Sequence, residues 1–122
     1  MNKPMCFIDV DLTLVDIETD LYDGVRERII ELNKKYELIC WSAGGKEYAS
    51  QVLTKNNIRQ YFTTVLDKPY TIIDDEPDSI LSRARVLRIT SRDDWKQESF
   101  WSMIFNKPIG ELCLSKKKSK II

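Results

Sequence analysis

Two short apolar runs in this chain stop abruptly at acids, and a third stops at a serine. Residues 5–10 carry Asp9 and meet Asp11, residues 70–73 meet Asp74 and Asp75, and residues 37–41 meet Ser42. Runs this short and this apolar read as buried strands. Between the first two strands, Val25, Ile29, Leu32 and Tyr36 recur at four-, three- and four-residue steps, a helical stripe that Asp23 is placed to cap. A second helix is expected over Lys46–Lys55, with Tyr48, Val52 and Leu53 facing inward. Residues 63–66 read as a third strand, 70–73 as a fourth and 85–90 as a fifth. Pro77 suits the first turn of a short helix through Ser82. Asp93 or Asp94 would start a last helix whose Phe100, Trp101, Ile104 and Phe105 face the sheet, ending before Pro108. This alternation predicts an α/β three-layer sandwich, with a parallel five-stranded Rossmann-like sheet covered on both faces. At 122 residues the chain has length for one such core, a single domain over 1–122. Ligands of such sheets bind at the carboxyl ends of the strands, at the switch point. Asp9 and Asp11, Ser42, and Asp74 and Asp75 are all expected there.

The absence of histidine narrows the chemistry most. A Ser-His-Asp triad, a Cys-His pair and His-ligated zinc are excluded. Cys6, Cys40 and Cys113 are odd in number, widely spaced and without a Cys-x-x-Cys pattern, which suits buried thiols in a reducing compartment. No apolar stretch approaches a membrane span, and residues 5–10 are too short for the core of a signal peptide, so a cytoplasmic protein is expected. Lysine plus arginine balances aspartate plus glutamate at 19 each, which gives no global reason to expect nucleic acid. The local exception is Lys116, Lys117, Lys118 and Lys120, in a partly flexible basic tail over 107–122. Such a tail is solvated and mobile, or else it contacts a phosphate backbone.

Carboxylates crowded at adjacent strand ends cannot all stay charged and alone. Two like charges about 4 Å apart repel by roughly 4 kcal/mol at a surface-like dielectric. The group must protonate or hold a cation. Oxygen-only ligands favour Mg²⁺, which keeps waters and substrate phosphate oxygens in its shell. Lys68 and Ser42 add a positive charge and a hydroxyl, parts that suit an incoming phosphate. Taken singly, each residue has a plainer role. Ser42 is also a good helix N-cap, Lys68 a surface lysine, Trp41 core packing, and Asp16, Glu18 and Asp20 a solvated loop. Gly44 and Gly45 supply permissive dihedrals.

The sequence Phe7-Ile8-Asp9-Val10-Asp11-Leu12-Thr13 resembles the first motif of the haloacid dehalogenase superfamily, an apolar strand followed by Asp-x-Asp-x-Thr. Ile39-Cys40-Trp41-Ser42 is similar to its second motif, Lys68 stands where the third-motif lysine would, and Thr71-Ile72-Ile73-Asp74-Asp75 resembles the acidic fourth motif. Leu12 departs from the pattern, since many members carry Gly there. The resemblance implies that Asp9 is a nucleophile forming an aspartyl-phosphate. Asp11 would protonate the leaving oxygen and then activate water. Mg²⁺ would be held by Asp9, the main-chain oxygen of Asp11, and Asp74 or Asp75, and Ser42 and Lys68 would bind the phosphoryl oxygens. Thr13 would orient the loop. The acid at position 11 resembles the phosphotransfer branches rather than the dehalogenases. Asp74 with Asp75 fits a paired-acid fourth motif and Asp74 with Asp78 a spaced one; the pair is favoured.

The gaps between these motifs are too short for the cap domain that usually closes such a site. A cap-less, open site implies a bulky phosphorylated substrate, such as a nucleic-acid end or a protein, or a homo-oligomer whose neighbouring subunit acts as lid. The lysine tail tilts this toward a nucleic-acid or nucleotide end. The expectation is a Mg²⁺-dependent phosphatase. The alternatives are a phospho-acceptor switch of the receiver type, whose motif order fits less well, and a catalytically idle phosphate-binding module.

Overall fold

A computed structural model of the protein describes residues 3–98 and 101–102. The chain separates into two compact units, Met1–Lys68 and Pro69–Ile122.

The first unit is built on three parallel strands, β1 (Met5–Ile8), β2 (Glu37–Ser42) and β3 (Thr64–Asp67), in the order β1-β2-β3. Helix α1 (Val25–Lys35) joins β1 to β2, and α2 (Lys46–Lys55) joins β2 to β3. Right-handed crossovers in one direction put both helices on the same side of the sheet. The helical stripe explains α1: Val25, Ile29 and Leu32 are buried, and Tyr36 closes the helix as an extended, buried residue leading straight into β2. Lys34 and Lys35 in its last turn and Glu27 in its first suit the helix dipole. Asp23 does not cap it. Gly24 holds the N-cap position at φ 90°, a left-handed conformation that costs glycine nothing, with no side-chain cap bond. Ala49, Val52 and Leu53 are the buried face of α2, whereas Tyr48 is only half-buried and turns away from the core. Arg26 ties the two helices by donating to the carbonyls of Asn57 (3.0 Å) and Asn56 (2.6 Å).

The register sets which residues share a face. Cys6, Ile8, Leu38, Cys40 and Ser42 lie on one side; Met5, Phe7, Ile39, Trp41 and Leu66 lie on the other. On the second side Phe7 and Trp41 pack ring to ring at 4.8 Å, but Met5, Phe7 and Leu66 are exposed. Ile39 on that side is buried and Trp41 half-buried, so this face is covered in part. The strand order also does not reverse within these three strands, so the expected switch point is not among them.

The second unit contains α3 (Asp78–Arg83), with Pro77 just before it, and a 3₁₀ turn at Asp94–Lys96. Trp95 and Trp101 are buried and stacked at 4.7 Å, and the Trp101 indole donates to the Asp94 carbonyl (2.9 Å). Among the described residues the sheet has three strands, and residues 70–73 and 85–90, expected as two more, are not strands there. Tyr70, Ile72 and Ile73 are exposed, so the apolar run gains nothing from burial. The Thr90 amide is taken by the Asp94 carboxylate (2.9 Å) instead of by a ladder. Where the last helix is expected, the 3₁₀ turn at Asp94–Lys96 comes first, and Glu98, Trp101 and Ser102 are helical, with the Trp101 amide donating to the Gln97 carbonyl (3.3 Å). Phe100, Ile104, Phe105 and Pro108, with the lysine tail, lie outside the described residues.

Candidate functional site

Adjacent parallel strands present their carboxyl ends along one edge of the sheet. Ile8 pairs with Cys40, and Ser42 pairs with Asp67, so Asp9 to Asp11, Ser42 and Asp67–Lys68 emerge along one edge of the sheet. The chain after β1 turns tightly there. The Thr13 and Leu14 amides both donate to the Val10 carbonyl (3.1 and 2.9 Å), and Leu12 donates to Val15 (2.9 Å). Val10, Leu14 and Val15 are fully buried and anchor the turn, leaving Asp9, Asp11 and Thr13 outside the core. Leu12 adopts φ 59°, left-handed backbone that glycine would hold without steric cost.

Asp9 is held at both oxygens. Lys68 Nζ lies 3.2 Å from Oδ1, and the Thr13 hydroxyl donates to Oδ2 at 3.0 Å. The Asp9 side chain is 34% exposed and that of Lys68 39%, so the pair is open to an incoming anion. Lys68 is fixed from behind, because its amide donates to the Ser42 carbonyl (3.1 Å). Asp11 is exposed, and its Oδ1 accepts a 2.5 Å hydrogen bond from the Tyr48 hydroxyl. That bond pushes the Tyr48 phenol up to about 12, with burial and the Asp11 charge adding to it, so Tyr48 remains a donor at any ordinary pH.

Ser42 is buried, and its Oγ accepts from the Gly44 amide at 3.0 Å. It is not the N-cap of α2, a position that Gly45 holds at φ 106°. As an acceptor, Ser42 retains its own hydroxyl proton for one further partner. The amide at the start of α2 is taken instead by Asp67, whose Oδ1 lies 2.6 Å from Lys46 N. Beneath the site the Cys40 thiol is pushed up to about 12 by burial first and by the charge of Asp9 second, with Arg59 opposing, which leaves it no thiolate character near neutral pH.

The first unit thus brings together Asp9, Asp11, Ser42 and Lys68. Asp74 and Asp75 belong to the second unit. There Asp74 Oδ1 accepts from the Glu76 amide (2.8 Å), and Asp75 lines an open hollow of about 430 Å³ with Glu76, Pro77, Asp78, Ser79 and Ser82. Among the described residues, no three His, Cys, Asp or Glu side chains are grouped to hold a metal ion. Within the first unit, Asp9 accepts from Lys68 and Thr13, and a carboxylate offers about four lone-pair sites.

Sequence reasoning missed two residues. Tyr48 sits four residues before Val52, which put it on the apolar stripe, although a phenol at the start of a helix that follows a strand end was a signal. Asp67 ends a strand beside Lys68 and was legible as a cap. No helix of the described residues is long and apolar enough to cross a membrane. No protein-family model, curated protein or solved structure matches the chain.

Proposed function

We propose that the chain is a cytoplasmic Mg²⁺-dependent phosphomonoester hydrolase of the haloacid dehalogenase-like, cap-less type. The observation that carries this reading is the Asp9 carboxylate, oriented at a sheet edge between Lys68 (3.2 Å) and Thr13 (3.0 Å), with Asp11 two residues on. Lys68 would draw in the phosphate and neutralise charge on its oxygens, helped by the Ser42 hydroxyl. An Asp9 oxygen would then bond to phosphorus as the bond to the leaving oxygen breaks, with Asp11 giving that oxygen a proton. Asp11, now a base, would take a proton from water as the water oxygen attacks phosphorus and releases Asp9. Asp9 and the Asp11 carbonyl would hold the metal. Bound there, Mg²⁺ would supply charge neutralisation on the transferring group.

A five-stranded core belongs to the same reading and asks more of residues 70–73 and 85–90 than an extended run. An open site suits a bulky substrate, a nucleic-acid or nucleotide end ahead of others, or a homo-oligomer that closes it. Hydrolysis of para-nitrophenyl phosphate with Mg²⁺ and not with EDTA is the first test. Asp9→Asn should lower turnover by at least ~10³-fold while the melting temperature changes little. Retention of most activity by that variant would remove Asp9 as nucleophile. A wild type that hydrolyses no phosphoester in a broad panel leaves a phospho-acceptor or phosphate-binding module.

A further inference from the structure

We infer that Tyr48 is a positioning residue for Asp11, fixing which carboxyl oxygen delivers the proton to the leaving group; the inference rests on the phosphatase reading. Asp11 is exposed at a turn, and its carboxyl would otherwise rotate freely about two side-chain bonds. The Tyr48 hydroxyl donates to Oδ1. With Oδ1 engaged as acceptor, the proton of the acid form sits on Oδ2. That oxygen then gives its proton to the departing alkoxide as the phosphorus–oxygen bond breaks, and Asp11 is left as the carboxylate that Tyr48 already binds.

The rest of the turn is arranged around this phenol. A Cβ on Gly44 would come within 3.1 Å of Tyr48 Cδ2 and 3.5 Å of Cε2, so the ring occupies the space that a side chain at position 44 would need. Gly44 is itself held by the bond from its amide to Ser42 Oγ (3.0 Å). Ser42 thus holds Gly44, and the bare Gly44 leaves room for the Tyr48 ring that reaches Asp11.

Leaving-group dependence separates this role from a structural one. An alkyl phosphate expels a strongly basic alkoxide and needs the proton; an activated aryl phosphate hardly does. Tyr48→Phe should lower kcat on an alkyl phosphate by roughly tenfold, with KM little changed, and lower kcat on para-nitrophenyl phosphate by less than about threefold. Gly44→Ala, which displaces the ring without removing the hydroxyl, should show the same selectivity. In an Asp11→Asn background Tyr48→Phe should have no further effect. Equal losses on both substrates, or an undiminished effect in the Asp11→Asn background, would overturn the assignment and leave the phosphatase reading standing. A wild type inactive on both substrates removes both.

Discussion

The turn after β1 and the stretch after β3 both set acids beside apolar residues, and they fold differently. After β1, Val10, Leu14 and Val15 are fully buried, and the acids between them are held by Lys68, Thr13 and Tyr48. After β3, Tyr70, Ile72 and Ile73 are exposed, and the carboxylate of Asp74 accepts from its own loop at the Glu76 amide. The difference lies in what each run has beside it. Residues 5–8 pair with β2, and Ile8 is buried; residues 70–73 have no ladder among the described residues. An acid becomes part of a site when the backbone next to it is pinned, and burial of the neighbouring apolar residues is what pins it.

Amide exchange gives the largest contrast. The Leu14 amide, bonded to Val10 beneath a closed core, should exchange at least ~10³-fold more slowly than those of Thr71, Ile72 and Ile73, because exchange there requires opening the core. Slow exchange at 71–73 would break the comparison and favour a fourth strand.

Truncation measures the same contrast as stability. Leu14→Ala removes a side chain with 0% exposure and should cost about 2–5 kcal/mol in urea unfolding. Ile73→Ala, at 94% exposure, should fall within ~0.5 kcal/mol. Equal losses would mean that Ile73 is buried in solution.

These contrasts also explain what was legible in the sequence. The stripe Val25, Ile29, Leu32 and Tyr36 was readable because helical period is a local property, and all four residues are buried. Asp9, Asp11, Ser42 and Lys68 could be placed on one edge because parallel strands joined by helices present their carboxyl ends along the same edge of the sheet. Residues 70–73 and 85–90 looked like strands for the same apolar reason as residues 5–8, but an apolar run does not name its partner. The cap of α1 was misplaced by one residue, at Asp23 instead of Gly24, because a left-handed entry replaced a side-chain bond. Tyr48 was assigned to the core because hydropathy does not distinguish the ring from its hydroxyl.

The smallest expected effect tests the side-chain contact that most separates the two regions. An ionising Tyr48 must give up its hydrogen bond to Asp11 and then face that carboxylate as a second anion, which is why its phenol is pushed up to about 12 from an ordinary value of 10.0. Because the folded value is the higher one, the stabilisation from this bond is fully present below about pH 10 and is lost as pH rises toward 12. In an alkaline absorbance titration of the five tyrosines, the component removed by Tyr48→Phe should be one that ionises late. Asp11→Asn should return that component toward 10, since a neutral amide neither repels the phenolate nor accepts as strongly. If Tyr48→Phe instead removes a component already titrating near 10, the phenol and Asp11 are not joined in solution, and the contrast with the stretch after β3 is lost at Asp11.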